Sequence, residues 1–226
     1  AAGVSEETLT KELELLQLRY EELMRKAKIA AGKTLLYREP PHYITLGKEL
    51  PAKALDEILT DHAEVFTELK EYYKQTSESD TTKISFYEDT YSLYNLYRFA
   101  HYYEEAYGKY IWLKSGASLV IEHTEAMTVI DVNTGSVLKK KKQEDTLFYQ
   151  INREAAKEIA RQLRLRNISG IIMIDFINMK DTAQKEKLLS LLDSECKKDR
   201  VHCNVIDMTA LNLVEMTRSK VRKPLH

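Results

Sequence analysis

Cysteine is scarce in this 226-residue chain: Cys196 and Cys203 are its two, and their spacing fits neither a zinc-ligand pair nor a redox motif. Two reduced thiols of a cytoplasmic protein are expected rather than a disulfide framework. The six histidines are scattered, with no HExxH or paired-ligand spacing, so the usual imidazole metal sites are excluded. No apolar run approaches the ~18 residues of a membrane-spanning helix, and the first seven residues lack the basic-then-apolar order of a secretory signal. No span and no signal peptide are expected. A methionine is missing from position 1, which points to a fragment or a processed product. Internal repeats and low-complexity tracts are absent as well.

What is present is an ordinary globular composition, 43% apolar and 31% charged, long enough for one large domain or two small ones. The charge is unevenly spread. Residues 139–226 hold 19 Lys and Arg against 12 Asp and Glu, a balance of +7, which leaves −8 for residues 1–138 out of the total of −1. The basic part begins just after Asp131 and contains Asp175. Positive surroundings for an acidic pair are what a polyanionic substrate needs.

Those two aspartates each close an apolar run: Met127-Thr128-Val129-Ile130 before Asp131, and Gly170-Ile171-Ile172-Met173-Ile174 before Asp175, 44 residues later. Short β-branched runs read as buried strands. A carboxylate at the end of such a strand needs a partner, because leaving water costs it on the order of several kcal/mol. A helical pattern from Glu144 to about Arg166 separates the two runs, as expected of neighbouring strands joined by a crossover helix. Both carboxylates then reach one end of one sheet, where α/β folds bind ligands. Two hard oxygen donors suit Mg²⁺, and Asn133, two residues beyond Asp131, projects on the same face and can supplement it. The plainer reading of each aspartate, a helix N-cap or turn residue just past a strand, stays open on spacing alone.

Elsewhere the periodicity predicts an amphipathic helix over 5–31 and a turn with short extended segments around Pro40-Pro41, followed by a strand or helix near Leu55–Leu59 and a helix over about 61–74. Residues 75–82 read as a surface loop and 83–87 as a strand. Residues 91–107 read as one tyrosine-rich helix, with core packing favoured over base stacking. Strands follow at 109–113, 118–123, 126–131, 204–207 and 211–217, a second long helix at 180–198, and a basic tail from Arg218 to Lys223. Arg161, Arg164 and Arg166 end the 144–166 helix, where arginines complement the macrodipole or contact phosphates.

Three stretches, Thr124 to Gly135, Asn152 to Arg166 and Ile174 to Met179, together resemble the catalytic core of the ribonuclease E/G family, and Asp199-Arg200 and Leu213 to Arg218 extend the likeness. It is strong over residues 108–223 and continuous, though weaker, over 1–107. The resemblance implies an α/β (α+β) fold: a helical remnant of a five-prime sensor region over 1–44, an RNase-H-like subdomain over 45–107, and a DNase-I-like catalytic subdomain over 108–226. It implies a hydrolytic endoribonuclease that cuts single-stranded, AU-rich RNA in rRNA processing and mRNA decay in the cytoplasm, with other RNA-decay proteins as partners and an oligomeric state left open. Asp131 and Asp175 match the family's Mg²⁺-holding aspartates and Asn133 its supporting asparagine. Phosphate contacts would fall to Arg161, Arg164, Arg166 and the lysines from Lys139 and Lys140 to Lys142. The family's OB-fold domain and its Arg-Thr grip on a five-prime monophosphate would precede Ala1, and the arginine that partners this grip aligns with His202, a shorter side chain only partly charged near neutrality. The zinc link that follows the family's core has no counterpart in Cys196 and Cys203, so zinc-linked oligomers are not expected. The family's IDFIDM run carries Asn178 in place of its second aspartate. Competing readings are a non-catalytic RNA-binding or assembly module and a Mg²⁺-dependent phosphoesterase or DNA nuclease on the same scaffold.

Overall fold

The structure is a computed structural model that describes residues 6–49, 55–75, 83–135, 144–221 and 223–225. Residues 76–82 and the lysines at 139–142 lie outside the described residues. The described elements form a mixed α/β protein whose contacts divide it into two units, residues 1–93 and 94–226.

The first unit opens with α1 (Glu6–Ile29), whose apolar stripe of Leu9, Leu13, Leu16, Tyr20 and Met24 is exposed along its length. A second helix, α2 (His42–Glu49), stands where extended segments were expected around Pro40-Pro41. The reason is local: Pro41 supplies a carbonyl that accepts from Ile44 N at 2.9 Å, and proline at a helix start sacrifices only an N–H that has no intrahelical partner. Then β1 (Glu57–Thr60) pairs in parallel with β2 (Lys83–Phe86), with α3 (Ala63–Gln75) between them in the chain. Ile44, Leu69 and Tyr73 form the small core, packed by Ile58, Val65, Tyr72 and Ile84.

The tyrosine-rich stretch is not one helix. It breaks into α4 (Leu93–Leu96) and α5 (Phe99–Tyr107) at Arg98, which adopts a left-handed φ of 53°. Nor does it form core: Tyr94, Tyr97, Tyr102, Tyr103 and Tyr107 are all exposed, and only Leu93 and Ala106 are buried. The break at Arg98 interrupts the helical phase that would have lined the rings on one face.

The rest of the second unit is one six-stranded sheet with two helices. The strands are β3 (Tyr110–Trp112), β4 (Ser118–His123), β5 (Met127–Asn133), β6 (Gly170–Asp175), β7 (Cys203–Met208) and β8 (Leu213–Arg218), in the order β3-β4-β5-β6-β8-β7. Between β5 and β6 runs α6 (Glu144–Leu165), and between β6 and β7 runs α7 (Thr182–Cys196). The crossover expectation holds: β5 and β6 are parallel neighbours, while every other pair in this six-stranded sheet is antiparallel. Alternate residues face one core: Leu119, Ile130, Val132, Ile172, Ile174, Val214 and Met216 pack against Ile151, Ala155, Ile159 and Leu163 of α6 and Leu188 and Leu192 of α7. Because side chains alternate along a strand, Met127, Val129, Asp131 and Asn133 of β5 and Ile171, Met173 and Asp175 of β6 lie on the opposite face.

Arg218 is the last residue of β8, 4% exposed, not the start of a basic tail. Its guanidinium donates to Asp199 Oδ2 at 2.9 Å, to the Ile168 carbonyl at 2.8 Å and to Asn167 Oδ1 at 3.1 Å.

Candidate active site

In the parallel pairing of β5 with β6, Asp131 stands directly opposite Asp175. Strand-to-strand spacing is ~4.8 Å and side chains opposite one another share a face, so the two carboxylates emerge side by side at the carboxyl ends of two strands, Asp131 half-buried and Asp175 exposed. A shift of one residue would have thrown one of them into the core. Apolar neighbours fix the register: Ile130 opposite Ile174, with 0% exposure each, is the adjacent inward pair.

Neither aspartate caps a helix. The N-cap of α7 is Asp181, whose carboxylate accepts from Ala183 N at 2.9 Å. Asp131 Oδ2 accepts from Asn133 Nδ2 at 2.7 Å, which sets the rotamer of the carboxylate. The Asp175 side-chain carboxylate accepts no hydrogen bond among the described residues. Partial burial, and secondarily the negative charge of Asp131, push the Asp175 carboxyl above its ordinary range. Two carboxylates so placed repel, and a bound cation removes that cost.

The donor set fits Mg²⁺. That ion takes one or two carboxylates and completes its shell with waters and substrate oxygens.

Two further residues shape the site, and the sequence reading gave them no role of their own. Asn152 of α6, 0% exposed, donates Nδ2 to the Ile177 carbonyl at 2.7 Å and accepts from Ile177 N at 3.0 Å through Oδ1. It pins the segment that leaves Asp175. Glu154 accepts from Lys114 N at 2.7 Å and Ser115 N at 3.2 Å, holding the β3–β4 turn. That turn meets the end of β5 at Gly135, whose φ is +56° and where an added Cβ would lie 2.7 Å from the Gly116 carbonyl oxygen. The run Asn152-Arg153-Glu154 was visible in the sequence, but a helix pattern does not say which polar residue turns inward to bond a loop. Replacing Asn152 by Ala strips both bonds from a part-buried peptide, a loss of about 1–3 kcal/mol; thermal unfolding will show a lowered midpoint, and a variant as stable as the parent would remove the assigned role.

The remaining candidates lie elsewhere. Arg161 pairs with Glu105 and Glu158, the latter at 2.8 Å. Arg166, 3% exposed, donates to Gln162 Oε1 at 2.7 Å and to the Glu105 carbonyl at 2.8 Å. Arg164 is exposed and donates to the Glu195 carbonyl at 3.4 Å. These three end α6, whose chain re-enters the sheet at Gly170, the far end of β6 from Asp175, about 17 Å away at ~3.3 Å per residue. His202, exposed, precedes Cys203, which stands opposite Arg218 and so in the same cross-strand row as Gly170, at that same far end. Lys139 and Lys140 lie outside the described residues. The structure therefore gathers Asp131, Asp175 and Asn133 into one place and separates Arg161, Arg164, Arg166 and His202 from them.

A family model described as the ribonuclease E/G family matches residues 1–221. The chain is 35% identical over 223 residues to ribonuclease G of Haemophilus influenzae, covering 99% of this chain and 45% of that protein. It is 34% identical over 225 residues to ribonuclease G of Escherichia coli K12, 100% and 46%, and 32% identical over 223 residues to ribonuclease E of a Nostoc species, 97% and 32%. The chain spans less than half the length of these relatives.

Proposed function

This chain belongs to the ribonuclease E/G family, and from that premise we propose that its second unit is a Mg²⁺-dependent hydrolytic core that cleaves single-stranded, AU-rich RNA in RNA processing and decay. The observation that carries the reading is the register of β5 and β6, which sets Asp131 beside Asp175 on a face not filled by core side chains. Relatives named ribonuclease G and ribonuclease E support RNA as the substrate. An RNase-H-like subdomain over residues 45–107 and a DNase-I-like one over 108–226, after a helical remnant of a sensor region over 1–44, is the arrangement we propose.

Asp131 and Asp175 would hold Mg²⁺ through their carboxylate oxygens. The chemistry that ion supplies when bound is a lowered pKa for a water and neutralisation of charge at phosphorus. Asn133 keeps the Asp131 carboxylate turned toward the pair through its 2.7 Å bond. Asn152 holds the backbone beyond Asp175 so that this carboxylate keeps its place. In the hydrolysis the water oxygen bonds to phosphorus, the bond to the ribose 3′ oxygen breaks, and that oxygen leaves protonated, giving a five-prime phosphate and a three-prime hydroxyl. Lys139 and Lys140, six and seven residues past Asn133, are proposed phosphate contacts. Any contact by Arg161, Arg164, Arg166 or His202 would serve a part of the RNA distant from the cut.

The test is cleavage of end-labelled RNA and DNA oligonucleotides of one sequence with Mg²⁺ and with a chelator. RNA cleaved only with the metal is expected. DNA cleaved equally well would move the reading to a general phosphodiesterase, and bound but intact RNA would move it to a non-catalytic module.

A further inference from the structure

The short edge strand β3 carries an aromatic feature that the reaction above does not use. Its middle residue, Ile111, is 5% exposed in the core, so the residues on either side must face the other way. Those residues are Tyr110 and Trp112, 59% and 74% exposed. The ladder shows which face they share. Tyr110 stands opposite Val120, Val120 opposite Asp131, and Asp131 opposite Asp175; Trp112 stands opposite Ser118, and Ser118 opposite Asn133. The two rings, the two carboxylates and the supporting amide thus belong to one face, in two adjacent cross-strand rows. Two strand spacings, about 10 Å, separate Tyr110 from Asp131 and Trp112 from Asn133, with Val120 and Ser118 on the strand between.

We propose that Trp112, seconded by Tyr110, is a stacking platform for a nucleobase of the single-stranded RNA whose phosphodiester lies at the Asp131–Asp175 pair. The inference rests on the reading of that pair as the hydrolytic centre and adds a substrate contact to it. Nucleobases stack on exposed aromatic rings whatever their identity, because every base offers a π face. An acidic pair at the cutting point draws an RNA strand only through a cation, so an uncharged grip beside it supplies affinity without adding repulsion. The Tyr110 ring has Lys109 Nζ 5.8 Å from its centroid, and Lys109 is itself paired with Glu122. Among the described residues neither a ring nor a cation packs on the Trp112 indole, which leaves Trp112 the principal surface. β3 is also the outermost strand of the sheet.

Trp112 is the single tryptophan of the chain, so its emission reports on this position alone. The experiment titrates the Asp131→Asn variant with a labelled single-stranded oligoribonucleotide, following tryptophan emission and the anisotropy of the label together. Quenching that tracks binding is expected, with none when a base-free sugar-phosphate oligomer is bound. Trp112→Ala should weaken RNA binding roughly 5- to 150-fold, the range of one lost stacked base, with the larger part of the effect on KM rather than kcat. Trp112→Phe should recover most of it. The Ala-to-parent ratio should also hold across salt concentrations, since stacking releases no counterions. Bound RNA with unchanged emission, or an unaltered KM in Trp112→Ala, overturns the platform while leaving the carboxylate site standing. Wild-type protein that neither binds nor cuts RNA overturns both.

Discussion

Asp131→Asn and Asp175→Asn will each lower RNA cleavage about 10³-fold, while the protein stays folded. The size follows from the proposed role: a ligand to a metal that activates water and neutralises phosphorus supports several kcal/mol of barrier lowering, and each ~1.4 kcal/mol is tenfold. Asparagine keeps the shape of the side chain and removes its charge, so the Ile130–Ile174 pair beneath is undisturbed. In metal-free buffer the midpoint of thermal unfolding should not fall for Asp175→Asn, because partial burial, and secondarily the charge of Asp131, disfavour the ionised Asp175 carboxyl, and the substitution removes that charge. Asn133→Ala should cost less, about 10–100-fold, as expected of a residue that orients a ligand. Rates within tenfold of the parent for both aspartate variants would remove them from the chemistry.

Asp199→Ala will destabilise the protein by about 3–5 kcal/mol, because it strands a buried guanidinium. Arg218 and Asp199 expose only 3% and 8% of their side chains and meet at 2.9 Å. The guanidinium also ties the Ile168 carbonyl and Asn167 Oδ1, at the turn that leads α6 into β6. For a protein of this size the expected fall in unfolding midpoint is roughly 6–20 °C. Replacing both partners, Asp199→Leu with Arg218→Met, should recover part of the loss, since apolar pairs of similar volume substitute well for buried ion pairs. The recovery is incomplete because the Ile168 carbonyl and Asn167 lose their donor. Urea unfolding of the single and double variants measures the loss and its recovery, and thermal unfolding measures the fall in midpoint. A loss below about 1 kcal/mol in Asp199→Ala would mean that Arg218 reaches water once unpaired.

The pattern of apolar runs ending in aspartate was enough to place β5, β6 and the helix between them, and to foresee that the two strands are parallel neighbours. Those features depend on hydrophobic period and on the handedness and length of a crossover, both written locally. The motif residues of the family were likewise legible, Asp131, Asn133 and Asp175 among them. Less local features were not. The tyrosines of 91–107 have helical spacing, yet one left-handed residue, Arg98, dephased them. Arg166 has the charge of a phosphate ligand, yet lies buried against Gln162 and Glu105. Asn152 looks like any polar residue of an amphipathic helix until the chain beyond Asp175 folds back to meet it.

The sequence by itself determined the strands of the six-stranded sheet and the crossover between β5 and β6, and its likeness to the family pointed to Asp131 and Asp175, because each of these is written in the residues of a short segment. Which residue stands across from which was decided only by tertiary pairing: Asp131 against Asp175, Trp112 in the row of Asn133, and the arginines of α6 at the other end of the sheet. Register is a contest between whole strands to bury one face, and a single step in it moves every side chain to the opposite side.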